Sequence, residues 1–261
     1  MARRCWMVLF AAVAAGCPGP RNDGPPLPVS LPPAGSGPPN AVELAVCFVS
    51  ELGPDAGTRL EKAYWAHATE KALAPDVQAL WHRNGLRVGV TTSAAIRRAQ
   101  ERERLRIGVG GEVGLRRLRV PHRGQAVLAM SKTASLGTFL LTLPGNRARV
   151  RTFPGAAVAL SATCRIIDER TVYVEIVPKV LQPGRDPDDT GVLDFLATEV
   201  ALTPDRGLLV GPGGTARHTA GRALLTAGGS GVGYQRLLVI TAVPVHVAPQ
   251  PGTAPGDRTE E

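Results

Sequence analysis

The sequence predicts a mainly β (β-rich α+β) domain, built as an antiparallel sheet or sandwich with a small helical insert near its N-terminal end. From residue 105 onward, short runs of alternating or β-branched residues recur, and glycines and prolines separate them at short intervals. Before that point, the segments predicted to be helical lie between residues 58 and 104. No internal repeat is evident, and the folded unit is expected to span residues 41–248.

A strand and a helical segment are expected to open the domain. Residues 42–49 place apolar side chains on one face, as in a strand with one buried side. Residues 58–83 carry an apolar stripe at helical spacing, and Pro75 interrupts the helix and restarts it at the first helical position. The Asn84-Gly85 pair is expected to end this helix.

A short strand and a second helix are predicted next. Residues 86–90 form the strand, and Ser93 can cap a helix that runs to about residue 104. The charged side chains of this helix are expected to form one solvated face, made of Arg97, Arg98, Glu101 and Arg102.

Ten strands are predicted after the second helix. They cover residues 105–109, 113–120, 126–130, 138–143, 147–153, 158–167, 171–181, 195–203, 208–211 and 235–247. The sixth and seventh are expected to form a hairpin that turns at residues 168–170. The buried face of this hairpin is expected to hold Val158, Leu160, Ala162, Cys164, Ile166, Val172, Val174 and Ile176. On the opposite face of the hairpin, Arg165 and Glu175 could form a cross-strand ion pair.

The first seventeen residues have the layout of a secretory signal. Arg3 and Arg4 form a positive start, residues 5–15 are apolar, and small residues precede Cys17. A cysteine at this point resembles the lipobox of bacterial lipoproteins, whose thiol is acylated, so we expect Cys17 to carry lipid. Because Ala14 stands three positions before it, where leucine is favoured, plain secretion is the alternative. Residues 5–15 are too short to span a bilayer, and no later run of eighteen apolar residues exists.

Two polar segments flank the expected domain. Residues 18–40 contain nine prolines, with glycine and serine between them. Such a segment buries too little apolar surface to fold, so it is expected to be a disordered, extended linker that holds the domain away from the membrane. Residues 249–261 are expected to form a second disordered segment, as a tail.

The charge balance bears on the class of partner. The formal net charge is +8, from 30 Lys and Arg against 22 Asp and Glu. Basic proteins can bind nucleic acid or anionic lipid, but only 4% of the residues are aromatic and no platform for stacking bases is visible. We therefore expect no nucleic-acid partner.

The four cysteines divide into two groups. Cys5 leaves with the signal and Cys17 is the candidate lipid anchor, whereas Cys47 and Cys164 lie in predicted strands. An oxidising compartment permits a disulfide between the last two, but buried single cysteines are common, and separate core thiols are favoured. No paired Cys or His spacing indicates a metal site.

Three glycine-rich segments lack the features of phosphate or nucleophile loops. Residues 108–114 lack the third Rossmann glycine and a Gly-Lys-Ser/Thr ending, and they lead into a strand. In residues 209–214, Pro212 removes an amide donor where a phosphate would need one. In residues 228–233, Val232 stands where a nucleophile elbow needs glycine. All three are expected to be turns or loops.

The histidines and acidic residues assemble no recognisable site in the sequence. His67 and Glu70 are three positions apart, but no second histidine lies one helical turn away, which favours surface residues. Asp186, Asp188 and Asp189 share a loop that could hold a hard cation such as calcium, although their irregular spacing favours a plain loop. We therefore predict no catalytic, cofactor-binding or metal-binding residues, and no enzyme. The remaining histidines are scattered: His82, His122, His218 and His246.

Four segments of the β part resemble the bacterial secretin domain, and they occur in the same order. They are residues 42–52 for its opening strand, 154–180 for its central hairpin, 198–211 for the next strand, turn and strand, and 235–247 for its closing strand. The proline-rich motif that normally precedes the closing strand is replaced by small residues at 219–233. Residues 84–90 are similar to an element of short exported proteins of planctomycete type.

The resemblance implies a secretin-like topology and a role through protein–protein contacts in secretion or pilus-type assembly. Because secretins build rings by pairing strands between subunits, it also implies self-association or contact with other envelope or secretion-system proteins. Together with the secretory signal, the resemblance predicts one of two locations. The protein is expected to be a lipoprotein of the cell envelope that faces the periplasm at the outer membrane, or a secreted protein. Contact surfaces are expected at residues 115–123 and 227–233. The alternatives are a structural envelope lipoprotein and, less favoured, a hydrolytic enzyme.

Overall fold

The computed structural model describes residues 38–52, 55–104, 112–129, 136–153, 157–181, 193–213, 219–225 and 234–247. These residues form mostly strands in antiparallel sheets, with a few short helices, which confirms the predicted mainly β fold. None of the helices in these ranges has the length and apolar character needed to cross a membrane.

Strands dominate the order of elements along the chain. The strands are β1 (Ala41–Leu52), β2 (Leu86–Thr92), β3 (Glu112–Pro121), β4 (Gln125–Ala129), β5 (Leu136–Thr142), β6 (Ala148–Phe153), β7 (Ala157–Ile166), β8 (Val172–Leu181), β9 (Thr198–Leu202), β10 (Arg206–Pro212) and β11 (Tyr234–Val245). The α-helices are α1 (Ala56–Ala63), α2 (Pro75–Arg83), α3 (Ser93–Arg104) and α4 (Ala220–Leu225). The 3-10 turns include Trp65–His67 and Pro144–Asn146.

The strands form a five-stranded sheet, a four-stranded sheet and a two-stranded hairpin. The strand order is β2-β10-β11-β1-β3 in the first and β4-β7-β8-β9 in the second, and β5 pairs with β6. Strands β1 and β11 pair along their whole length, from Ala41 opposite Val245 to Leu52 opposite Tyr234. The first and last strands of the domain therefore lie side by side inside the larger sheet.

The central strands of the five-stranded sheet, β10, β11 and β1, are buried on both faces. On one face, Val42, Leu44 and Val46 of β1 belong to an apolar cluster that includes Val174 and Ile176 of the four-stranded sheet. The opposite face packs against α1, the Trp65–His67 turn and α3. Buried members of this second cluster include Cys47, Val49, Leu60, Trp65, Ile96, Leu237 and Val239. The domain thus has a helical layer, a central sheet and an outer sheet, and full burial of each large apolar side chain contributes about 1.5–3 kcal/mol.

The helical insert differs from the predicted helix over residues 58–83. Helix α1 ends at Ala63, and a 3-10 turn and an extended segment follow before α2 begins at Pro75. Inside this gap, Thr69 and Val90 of β2 exchange two backbone hydrogen bonds of 2.8 Å. The extended segment therefore pairs with the edge of the sheet instead of continuing the helix. The predicted role of Pro75 as the first helical residue is confirmed.

Helix α3 begins at the predicted residue but with a different cap. The Ala95 amide donates to Thr92 Oγ1 at 3.2 Å, whereas the Ser93 hydroxyl donates to the Pro204 carbonyl at 3.0 Å. Thr92 therefore satisfies an otherwise unpaired amide of the first turn, and Ser93 ties the helix to the loop before β10. The predicted charged face of Arg97, Arg98, Glu101 and Arg102 is exposed.

The β7–β8 hairpin has the predicted register and turn. Ala162 lies opposite Ile176, and Cys164 lies opposite Val174. All four side chains are fully buried, which places them in the layer between the two sheets. Because a shift of one residue would exchange the two faces of each strand, this burial fixes the register strongly.

The predicted ion pair on the outer face of this hairpin is wrong. Arg165 lies opposite Tyr173, and its guanidinium lies 4.8 Å from the centroid of the Tyr173 ring. It donates to Glu199 of β9 at 2.7 Å and does not pair with Glu175. Strand β9 lies beside β8 in the sheet and brings the Glu199 carboxylate within reach of the same face.

A buried asparagine joins α2, β5 and α4. The Asn84 amide group donates to the Leu80 and Thr142 carbonyls at 2.9 and 2.8 Å and accepts from the Thr142 amide at 3.0 Å. The Asn84 carbonyl accepts from the Gly221 amide at 2.7 Å. Gly85 has a left-handed φ of 74°, a conformation that suits glycine after a helix. A Cβ at Gly221 would collide with the carbonyl of Gly85. Helix α4 was not predicted from the sequence.

The two cysteines of the domain are separate thiols. Cys47 and Cys164 are both buried and free, which confirms the favoured prediction over the disulfide. Burial raises the pKa of each thiol to about 11, so both stay protonated at neutral pH. The strand predicted at residues 105–109 lies outside the described residues.

Candidate functional site

Strand β3 forms one edge of the five-stranded sheet. It includes most of the predicted contact surface at residues 115–123, and we call residues 115–123 the basic edge. It pairs with β1, from Pro121 opposite Ala41 to Glu112 opposite Ser50. Among the described residues, no strand pairs with its other side. An open strand edge presents backbone amides and carbonyls that can pair with another extended chain.

Arginines give the basic edge its charge. Arg117 lies 3.9 Å from the Glu43 carboxylate, and the Arg116 guanidinium lies 5.6 Å from the centroid of the Phe48 ring. An exposed ion pair of this kind contributes at most about 1 kcal/mol, because water screens it. Glu43 offsets one of these positive charges, and the other arginines keep the basic edge net positive. The exposed arginines of the basic edge are Arg116, Arg117, Arg119 and Arg123.

A tight turn fixes the end of the basic edge. Arg123 has a φ of 62°, and its amide donates to the Cys164 carbonyl at 2.7 Å. The His122 amide donates to the Asn40 carbonyl at 3.0 Å, and His122 Nδ1 accepts from the Ile166 amide at 3.1 Å. These bonds join the two sheets at the point where β3 passes into β4.

Exposed apolar side chains accompany the outer strands. Leu115 on β3 is 44% exposed, and Val127 on β4, at the edge of the four-stranded sheet, is 50% exposed. In the β5–β6 hairpin, Leu140 and Val150 lie opposite each other and are 42% and 66% exposed. A partner could bury these side chains. Of the four, the sequence predicted only Leu115, because alternation does not show which face of a strand stays uncovered.

A charged cluster holds the helical insert to β2. Glu70 accepts hydrogen bonds from Arg87 Nε, from His82 Nε2 at 2.6 Å and from Gln78 Nε2 at 3.0 Å. Arg87 also donates to Glu61 at 2.6 Å. Burial alone would raise the pKa of Glu70, but the hydrogen bonds from Arg87 and His82 outweigh it and hold that pKa below its ordinary value. The cluster stabilises the packing of α1 and α2 on the sheet.

The structure corrects the expectation for His67 and Glu70. They are not neighbours on one surface helix, since His67 lies in the 3-10 turn and Glu70 lies in the extended segment after it. His67 is exposed, whereas Glu70 is half-buried in the cluster with Arg87 and His82. The cluster joins residues from α1, α2 and β2, so sequence spacing gave no signal for it.

The remaining predicted residues divide between packing positions and undescribed segments. At the end of β10, Gly211 packs against the Trp65 ring and Gly213 against the Leu86 backbone, so these glycines permit close packing. The described residues contain no group of three or more His, Cys, Asp or Glu that could hold a metal ion. The following lie outside the described residues: Cys17, residues 105–111, Asp186, Asp188, Asp189, His218 and residues 227–233.

The structural neighbours of this chain include a weak match to a secretin domain. No protein-family model matches the chain, and no curated protein sequence matches it. The chain is similar to the InvG secretin domain β-barrel from the Salmonella SPI-1 injectisome NC-base, with 11% sequence identity and a TM-score of 0.25. The match covers 82% of this chain and 66% of that one, so this chain spans just under two thirds of its length.

Proposed function

We propose that this protein is exported to the cell envelope, is anchored there by lipid on Cys17, and acts through protein–protein contacts at the basic edge. The observation that carries the proposal is the outer side of β3, which no described strand covers and which exposed arginines flank. The signal-like start of the sequence supports export. The resemblance of four sequence segments to secretins supports a role in secretion or pilus-type assembly. The proposal includes no catalytic step.

The basic edge fits an extended, acidic segment of a partner protein. Backbone pairing along β3 would supply affinity, and alternate side chains would supply specificity. The arginines would attract carboxylates and speed association more than they tighten the complex. Leu115 adds an apolar contact in the same strand. Two copies of β3 would bring like charges opposite each other, which is unfavourable. Self-association is therefore expected to use a different surface.

Site-specific crosslinking in cells that produce the full chain tests this proposal. A photoreactive residue at Leu115 should give a crosslinked product of defined size, because the side chain lies beside the open edge. The triple substitution R116E/R117E/R119E should abolish that product by reversing the charge that attracts the partner. The matched control is R97E/R98E/R102E, which reverses three exposed charges on α3 and should leave the product unchanged.

The outcome that contradicts the proposal is equally specific. A photoreactive residue at Arg98 samples a surface that is similarly basic and exposed but lies on a helix. Equal crosslinking from Leu115 and Arg98, or equal loss with both triple variants, would show charge attraction without a docking surface. If no partner binds through β3, the proposed function is wrong.

A structural envelope lipoprotein is the second candidate, and the same strand supplies the observation that favours it. Natural sheets place charged side chains on edge strands to prevent aggregation. In that case, the basic edge would keep the domain monomeric and would bind nothing. Purification of the full chain from cells separates the two, since the structural protein should co-purify with wall material, whereas the first candidate should co-purify with a partner protein that the R116E/R117E/R119E variant loses.

A further inference from the structure

A cleft of about 370 Å³ lies beside β2, away from the basic edge. Its walls are the segment at residues 67–72, the end of β2 and the first residue of β10. The two backbone hydrogen bonds between Thr69 and Val90 hold the segment against the strand. The Thr91 hydroxyl also donates to the His67 carbonyl at 2.8 Å. The volume lies in the range of small-molecule sites.

The cleft is lined by cations and by no carboxylate. His67, Lys71 and Arg206 contribute the ionisable side chains of its lining. Within the described residues, neither Lys71 nor Arg206 has a carboxylate within 4.0 Å, whereas Arg87, for example, has two. Glu70, the acidic residue of the same segment, binds Arg87 and His82 and does not line the cleft. The cleft lining therefore carries a local excess of positive charge, which Asp205 beside Arg206 offsets only in part.

Two threonines with free hydroxyl hydrogens, Thr69 and Thr92, line the cleft. Thr69 Oγ1 accepts from the Lys71 amide at 3.3 Å, and Thr92 Oγ1 accepts from the Ala95 amide at 3.2 Å. Because each oxygen already accepts a backbone hydrogen bond, each hydroxyl hydrogen is left to donate. Both threonines line the cleft and are exposed, so each hydroxyl can donate to a ligand that enters it.

We propose that this cleft binds the phosphoryl group of a small organic phosphate. Its donors come from three separate elements: the 67–72 segment, the cap of α3 and the start of β10. This arrangement suits a tetrahedral anion with several oxygens, whereas a planar carboxylate is satisfied by the two parallel donors of a single arginine. Lys71 and Arg206 bind the charge, and the Thr69 and Thr92 hydroxyls orient the oxygens. The rest of the volume accommodates the organic part of the ligand.

Titration of the full chain followed by amide NMR tests the assignment. Glycerol 3-phosphate and inorganic phosphate serve as probes, with citrate and sulfate at matched ionic strength. Glycerol 3-phosphate should give saturable shifts at the amides of Lys71, Thr92 and Arg206. The double variant K71Q/R206Q should weaken its binding at least roughly tenfold, or about 1.4 kcal/mol. The matched control R97Q/R98Q removes two exposed charges from α3 and should change the affinity less than about twofold.

Three results would overturn the proposal. The first is the absence of saturable shifts at the cleft with either phosphate probe. The second is equal weakening by K71Q/R206Q and R97Q/R98Q, which would show only general charge attraction. The third is equal binding of citrate and glycerol 3-phosphate, which would replace the phosphoryl assignment with a general polyanion site. Lys71 and Arg206 are exposed, so unchanged thermal melting of the double variant confirms that any loss is local.

Discussion

Replacing Asn84 with alanine should release the β5–β6 hairpin from the domain. Asn84 is fully buried and makes three side-chain hydrogen bonds, one with Leu80 and two with Thr142 of β5. Alanine would leave the Thr142 carbonyl and the Thr142 amide without partners, whereas the Leu80 carbonyl keeps the backbone amide of residue 84 at 3.2 Å. Each buried unpaired group costs about 1–3 kcal/mol. Since Thr142 is only half-buried and water can reach it after a small opening, we expect a total loss of about 3 kcal/mol.

The loss should be concentrated in the hairpin because an isolated pair of strands is only marginally stable in water. Its other anchors among the described residues include the Leu140–Thr219 bridge, the buried Leu141 and Phe153 side chains and the hydrogen bond from Arg83 to Asn146. Urea unfolding followed by circular dichroism measures the free energy of unfolding. Hydrogen exchange with mass spectrometry should show faster exchange at residues 136–153 in N84A, with little change in β1 and β11.

Asn40 provides a matched control for this substitution. Its side chain donates to the Val247 carbonyl at 2.9 Å and accepts from the Val247 amide at 2.8 Å, but it is exposed. Water can replace both bonds, so N40A should cost less than about 1 kcal/mol. Equal losses for N84A and N40A, or uniform acceleration of exchange across the domain, would refute the reasoning.

Three further predictions, made with four substitutions, test the core, the charged cluster and the anchor. In urea unfolding, Ile176→Ala should lower the free energy of unfolding by about 2–5 kcal/mol. Glu175→Ala should lower it by less than about 0.5 kcal/mol, because Glu175 lies opposite the like-charged Glu199. Equal effects would mean that the register of the hairpin is wrong. The pKa of Glu70 is lowered in the folded state, so the free energy of unfolding of the wild type should fall as the pH drops through about 4 and below. Glu70→Gln should make that fall shallower, and an unchanged slope would contradict the stabilising role of the charged cluster. Cys17→Ser should move the protein from the membrane fraction to the soluble fraction, and unchanged detergent partitioning would argue against lipidation.

Local patterns predicted much of the fold where the local sequence decides the structure. The alternation in β7 and β8, together with the turn at residues 168–170, gave the correct register, since a slip of one residue would exchange the buried and exposed faces. Pro75 and Gly85 marked helix boundaries through backbone chemistry that needs no neighbours. The prediction of a helix was wrong at residues 64–74, although the apolar residues there still have helical spacing. There, Tyr64 and Trp65 are buried against the sheet from a 3-10 turn, and Thr69 pairs with β2.

Features that depend on distant pairing could not be predicted. The partner of Arg165 is Glu199 because β9 lies beside β8, and no local pattern encodes strand order. Helix α4 has only six residues, and its position depends on the close approach of Gly221 to Gly85. The basic segment at 115–123 was visible in the sequence, but its place at a sheet edge was not. The cleft beside β2 joins residues 67–72 to Arg206 and left no sequence signal.

The position of β11 also determines when the domain can fold. This last strand inserts between β10 and β1, so the five-stranded sheet stays in two incomplete parts until residues 234–245 have left the ribosome. Pairings between strands this far apart in the chain form slowly, because long loops must close first. The five-stranded sheet is therefore completed only at the end of synthesis, although the four-stranded sheet does not depend on β11. A central sheet that closes last is compatible with the export proposed above.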